Sequence, residues 1–535
     1  MKLFLAVPYQ SKQSTSNTVT RPGQTREWIA KLPLLNSRES LRQIHGVLHG
    51  INRMVLRASQ RLKLLDMYRS PLRVIRGQVE TQLAKGAAPL SDSDLMMVEL
   101  FRDCCIEMGY GYKSIILEIA QSGKRRQLDE LRLSMGRALF YLEQTIYACA
   151  MYRQTPPDGI WQEIHTIYQY AGKLGLTNDS IKDPIAKTET TTSIRVVYQR
   201  AVLFGLADPF HQSVPLMGRV LDFLRRRAHN AQLSDYRRPP TERCQFVIDP
   251  QSDCPARAYV KQAKQKPAAD ALLLDTVNLT RHAHDQLKTL QSAEQLDIEL
   301  DDEFKDDLGK RLLEEVVRAW GLIPRRQEER ADLNDARVEV VTGIAVVAFC
   351  MNQEKPFQPF SIDQANHAAA SSYQTHRAQR WDARLQKLDC RVLNKAESGM
   401  RISLTYDAPA IGSLRVGDVI ACRENDGPWI PGLIRWMRCV EDNIHFGVEQ
   451  LRHPSRPVAI KSVSTDREAP FKEGLVIYSE GVSSTTLQLM TPPGLFRYQR
   501  NLFVDDGEKL LMARSRRLIE RSQTMEWFEC EMLNL

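Results

Sequence analysis

Two short clusters hold the residues of this 535-residue chain whose types and spacing suit a ligand. The first is Arg325-Arg326-Gln327-Glu328-Glu329-Arg330, a doubled arginine followed four places on by another. The second is Asn394-Lys395-Ala396-Glu397-Ser398-Gly399, which fits Asn/Asp-x-Ala/Ser-x-x-Gly. A guanidinium fork binds a phosphate or the Hoogsteen edge of guanine bidentately, and its plane stacks on a base. Arginines four apart in an irregular segment can therefore grip opposite sides of a flat, anionic ligand. Asn394 and the backbone around it can hydrogen-bond a base, while Gly399 permits a close or left-handed backbone. Taken singly, each pattern is common, RxxxR in any arginine-rich chain and NxAxxG in β-turns. Their order and setting carry the argument.

The elements that must position them are read from periodicity. Residues 1–25 are expected to be a flexible N-terminus, with a polar Ser/Thr/Gln-rich stretch over 9–25. From 26 to 228 the pattern is helical, with apolar residues at three- and four-residue spacing in Leu41–Leu65, Leu95–Ile119 and Leu128–Met151. Ser91-Asp92-Ser93-Asp94 supplies N-cap chemistry for the second of these. Pro156-Pro157-Asp158-Gly159 is a turn into Trp161–Leu174, and further helices are expected over Thr192–Ala207 and Ser213–Arg227. Residues 229–268 are punctuated by proline and read as a connector or an edge element, with one strand candidate at Gln245–Asp249. Helical pattern returns over 269–321 and closes at Gly321 and Pro324.

After Pro324 the chain turns to β. Strands are expected at Val338–Val341, Ile344–Phe349, Arg401–Tyr406, Val419–Arg423, Gly432–Arg438 and Ile444–Leu451. The tail adds Leu475–Tyr478, Thr485–Met490, Leu502–Asp505 and Lys509–Ile519, a small C-terminal β unit over 456–535.

Helix end, RRxxxR, strand, then NxAxxG entering another strand: in this order the residues resemble the ligand signature of PilZ domains, the β-barrel receptors for cyclic di-GMP. The resemblance covers residues 322–455, with Ile434-Arg435-Trp436 and His445–Leu451 similar to later barrel strands. It implies a multidomain α+β chain, an all-α N-terminal region followed by a PilZ-like six-stranded barrel. Arg325, Arg326 and Arg330 would contact phosphates and guanines, with Asn394, Ala396 and Gly399 across the ligand. Ala396 stands where the family often has Ser, and Asn394 where Asp is commoner. The clusters lie further apart than is usual, separated by a Gln/Ala/Ser/His-rich insertion over 352–388. A competing RxxxR, Arg380–Arg384, lies inside that insertion, too close to Asn394 to leave room for a first strand.

The resemblance implies a bacterial signalling effector and not an enzyme, with cyclic di-GMP as ligand, no cofactor and an unidentified protein partner of the helical region. The alternative is a degenerate PilZ-like scaffold that binds proteins without nucleotide. Other features agree with a non-catalytic reading. Net charge is +8 over the whole chain, a mild bias toward anions, and runs such as Arg225-Arg226-Arg227 read as solvated helix faces, so no DNA is expected. The ten cysteines include no CxxC pair, which suits a reducing cytoplasm. The apolar start Met1–Val7 breaks at Pro8, and no stretch approaches the roughly 18 apolar residues of a membrane span. His45 and His49 share a helix face but HGVLH lacks the Glu of HExxH, so no metal site is expected. Met108–Lys113 lacks a GK[ST] ending and reads as a helix irregularity or tight helix contact.

Overall fold

The structure is a computed structural model. It describes residues 3–11, 21–84, 90–122, 127–181, 192–237, 244–258, 268–293, 304, 306–321, 331–333, 336–357, 385–405, 414–451, 453–463, 471–478, 486–522 and 524–533. The chain divides into two compact units, Met1–Gly86 with Leu90–Arg325 and Ala87–Pro89 with Arg326–Leu535.

The first unit is built from α1 (Pro22–Ala30), α2 (Ser37–Asn52), α3 (Ala58–Leu83), α4 (Asp92–Ser122), α5 (Leu128–Met151) and α6 (Ile160–Lys173). After the two-residue strands β1 (Ser180–Ile181) and β2 (Thr192–Ser193) come α7 (Ile194–Leu206) and α8 (Val214–Arg227). The expected cap is present, with the Asp94 backbone N–H donating to Ser91 Oγ at 3.2 Å. Met108–Lys113 is a tight helix contact. A side chain at Gly111 would place Cβ 2.6 Å from Leu65 Cδ1 and 2.9 Å from Asn52 Oδ1. One buried ion pair lies here: Arg200 binds both carboxylate oxygens of the fully buried Glu143 at 2.6 and 2.7 Å.

Three expectations need correction in this unit. Leu41–Leu65 is two helices, broken at Arg53–Arg57, where buried Arg61 donates to the Ile51 carbonyl at the end of α2. Residues 3–11 and 21–25 are anchored at particular points. Leu5 is buried, Ala6 N–H donates to Glu163 at 2.8 Å, Ser11 bridges Met54, and α1 starts at Pro22. The 229–268 segment is more than a connector. Strands β3 (Gln232–Asp235), β4 (Gln245–Ile248) and β5 (Arg257–Ala258) join β6 (Leu272–Asp275) in a sheet of order β3-β6-β4-β5. Then α9 (Val277–Ala293) and α10 (Asp307–Gly321) follow, and Trp320 is fully buried with its indole N–H on the Leu203 carbonyl at 3.0 Å.

The second unit opens with β7 (Ala331–Asp332), β8 (Arg337–Thr342) and α11 (Ile344–Met351). It continues through β9 (Leu388–Ala396), β10 (Gly399–Thr405), β11 (Val419–Arg423), β12 (Ile430–Val440) and β13 (Asn443–Gln450). Strands β8 to β13 close into a six-stranded barrel in which β9 pairs with both β8 and β10, and β7 adds a short edge to β9. The expected strand Ile344–Phe349 is instead helix α11. Gly343, at φ +89°, ends β8, and the all-round apolar helix is buried in a cluster shared by both barrels. Packing against both barrels overrides the β-branched preference of Ile344, Val346 and Val347.

The tail is a complete second barrel: β14 (Ser455–Ser462), β15 (Lys472–Ile477), β16 (Thr486–Thr491), β17 (Asn501–Asp505), β18 (Leu510–Arg521) and β19 (Glu526–Leu533). Its closed order is β14-β15-β16-β19-β18-β17. Numbering strands from one to six within each barrel, both run 1-2-3-6-5-4 and return to 1. Closure leaves the six strands of each barrel without a free sheet edge, β7 being an appended edge on the first.

Candidate functional site

The period of two along a strand sorts the first barrel's side chains. Met400, Ile402, Phe446 and Val448 enter the core, which turns Arg401, Gly447 and Glu449 outward. Asn394 pairs with Arg401 and Ala396 with Gly399, so both outward positions of the NxAxxG motif belong to one β9–β10 hairpin. Gly399 is required by close approach: a Cβ would lie 2.1 Å from the Val448 carbonyl oxygen. The hairpin end is tied down further, with Gln450 N–H donating to the Ser398 carbonyl at 2.9 Å.

Cross-strand partners then run in one row over five strands. Asp332 faces Asn394, Asn394 faces Arg401, Arg401 faces Gly447 and Gly447 faces Trp436. Because Gly447 has no side chain, the Trp436 indole lies against its backbone, and a Cβ there would sit 2.0 Å from Nε1. The Arg401 guanidinium is 5.7 Å from the indole centroid and donates to His445 Nδ1 at 2.9 Å. His445 is thus the Nε2–H tautomer, and burial, then Arg401 and Arg438, push its pKa below the usual imidazole value. Asn394 Oδ1 is buried with no hydrogen-bond partner among the described residues, and so is Arg401 Nε. An orphaned carbonyl beside an aromatic and a guanidinium is uncommon in a folded protein and asks for an explanation.

A bulge shapes the end of the row. Ile434 and Met437 both enter the core, so Arg435 and Trp436 both turn outward where one residue would. Arg435 Nη1 binds both Glu520 oxygens of the second barrel at 2.8 Å, and its Nε–H donates to Glu449.

Asn394, Ala396 and Gly399 are therefore brought together. Arg325, Arg326 and Arg330, and the competing Arg380–Arg384, lie outside the described residues. Ala331, next in the chain after Arg330, pairs with Lys395. Sequence reasoning assigned no role to Arg401, Trp436, His445 or Asp332. Arg401 had a usable signal, standing two residues beyond Gly399 on the same outward face. Elsewhere, the His45 and His49 rings are 5.9 Å apart, and among the described residues no group of three His, Cys, Asp or Glu side chains could hold a metal. No helix among them is long and apolar enough to cross a membrane.

A helical region leading into a barrel that carries this hairpin defines a multidomain PilZ protein. Comparison with known families is specific. The family model described as the N-terminal domain of the cyclic-di-GMP receptor FimW matches residues 23–240, and its middle PilZ domain matches 245–387. The cyclic-di-GMP receptor FimW of Pseudomonas aeruginosa is 21% identical in an alignment spanning 96% of this chain and 91% of that protein. The chain is a multidomain PilZ-domain protein that is similar to FimW across both matches. The middle-domain match contains Arg325, Arg326 and Arg330 and ends one residue before β9, so the Asn394–Gly399 hairpin lies beyond it.

Proposed function

We propose that this chain is a cyclic di-GMP receptor whose ligand lies on the outer wall of the first barrel, over 322–455. The observation that carries this reading is the buried, unpartnered Asn394 Oδ1, between Asp332, two residues after Arg330, and the Arg401–Trp436 shelf. Asn394 accepts from a guanine N–H, Arg401 and Trp436 offer planes for a base, and Arg325, Arg326 and Arg330 take phosphates and guanine edges. Ala396 and Gly399 leave the wall low enough for the ligand to approach. The receptor acts by occupancy and catalyses nothing. Because the arginines stand in the link between α10 and β7, the ligand has a hold on the connection to the helical unit, whose protein contacts are the output. This takes place in the cytoplasm, without DNA and without membrane insertion.

The test is calorimetric titration of cyclic di-GMP into the full-length protein, with GTP and cyclic di-AMP as controls. Selective binding is expected, lost in Arg326→Glu with the fold retained. Retained affinity in that variant overturns the assignment. A second reading, a scaffold that binds proteins without nucleotide, draws on Ala396, which lacks the hydroxyl common at its position. A rise in Tm with cyclic di-GMP separates the two, since a ligand that binds only the folded state must stabilise it.

A further inference from the structure

The wall of the first barrel is held in part from outside it. We propose that Glu520 of the second barrel is a positioning residue for the ligand face, fixing Arg435 and through it the Trp436 shelf. This rests on the reading above for its ligand, but not for its geometry.

Arg435 and Trp436 are the paired outward residues of the β12 bulge, so the direction of one limits the other. Gly447 lets the indole lie flat against the strand, where the Arg401 guanidinium also faces it. A further restraint comes through the neighbour. Glu520 takes both of its bonds from one Arg435 nitrogen, and only 19% of its side chain is exposed. The other partner, Glu449, is 53% exposed and holds the guanidinium by Nε alone. Glu520 stands where it does because β18 also bulges, with Ile519 left over between the pairs Leu518–Phe528 and Glu520–Trp527. Two bulges, one in the fifth strand of each barrel, aim an acid and a base at each other beside the proposed site. A second tie, Thr524 Oγ1–H to Asp418 at 2.6 Å, keeps the same edge of the second barrel in place. Ligand contact that moves Trp436 must therefore load the Arg435–Glu520 pair, and the second barrel senses the occupied face.

The experiment uses full-length protein labelled with 5-fluorotryptophan, the Trp436 resonance being assigned with Trp436→Phe. Glu520→Ala is expected to shift or broaden that resonance and to weaken cyclic di-GMP binding about fivefold, the scale of a partly exposed ion pair. Glu520→Gln, which keeps an acceptor and loses the charge, should do less on both counts and serves if the alanine variant does not fold. An unchanged Trp436 resonance in the folded variants overturns the proposal. If wild-type protein binds no cyclic di-GMP, the ligand assignment fails alone, and the resonance still decides whether Glu520 positions the shelf.

Discussion

The two barrels share one strand order and use the same face in opposite ways. Across strands two, three, six and five, the first barrel presents Asn394, Arg401, Gly447 and Trp436. The second presents Leu475, Met490, Trp527 and Glu520 in the matching row. Leu475 and Met490 are fully buried, in a cluster with α11 and with Val341, Val419, Ala421 and Leu433 of the first barrel. One row keeps a polar acceptor without a partner; the other is covered with apolar side chains. The topology alone thus does not set the character of the wall, and a few outward positions decide whether it carries polar groups or packs as an apolar interface.

Exchanging the character of the two rows gives the largest effects, with opposite signs. Leu475→Ala removes a fully buried side chain and should cost about 3 kcal/mol in urea unfolding, through lost transfer energy and a cavity. Asn394→Leu, at the matching place, removes a buried acceptor that has no partner among the described residues. It should leave stability unchanged or raise it by about 1 kcal/mol, while cyclic di-GMP binding is lost. If Asn394→Leu destabilises as Leu475→Ala does, its carbonyl is structural and the contrast between the rows fails.

Much of this architecture was legible in the sequence, for identifiable reasons. The β11 strand, Val419–Arg423, was expected with its observed limits because its residues are β-rich and flanked by turn formers. The hairpin at Asn394–Gly399 announced itself by its spacing. Helix α11 did not, because a short all-apolar run has no period to read and only the surrounding barrels decide its form. Strand β14, Ser455–Ser462, was missed because Pro457 and the charges at Arg456 and Lys461 demote it by propensity. Without it, and without β19, the tail read as a small β unit and not as a closed barrel. Nor can a single sequence show cross-strand register, which is what joins Arg401 and Trp436 to Asn394.

A smaller effect separates the shelf from the wall that supports it. Adding a methyl at Gly447 meets the Trp436 indole, a side chain able to turn away, whereas at Gly474 of the second barrel it meets the Met490 carbonyl at 2.6 Å. Gly474→Ala should therefore cost about 2 kcal/mol of stability by overpacking against backbone and leave the ligand face alone. Gly447→Ala should cost less than that, yet weaken cyclic di-GMP binding about tenfold by lifting the indole off the sheet. Equal stability losses with unaltered binding in both variants would place Trp436 outside the site.

The smallest difference concerns pH. The second barrel, 455–533, contains no histidine, whereas the first has His445 accepting from Arg401. With its pKa below 6.5 in the fold, His445 stays neutral there while its unfolded counterpart takes up a proton as pH falls through that value. The unfolded chain then binds more protons, so stability contributed at this site is full above pH 6.5 and declines below it. Protonation also removes the acceptor from Arg401 and sets two like charges side by side. His445→Gln keeps a neutral acceptor and cannot titrate. Urea unfolding of wild type and His445→Gln at pH 7.5 and 5.5 should give a stability difference that shifts in favour of the variant at the lower pH. Cyclic di-GMP affinity should follow the same sign, since the Arg401 plane is held by the neutral ring. A difference that is flat with pH would mean that Arg401 keeps its place on the Trp436 shelf without help from His445.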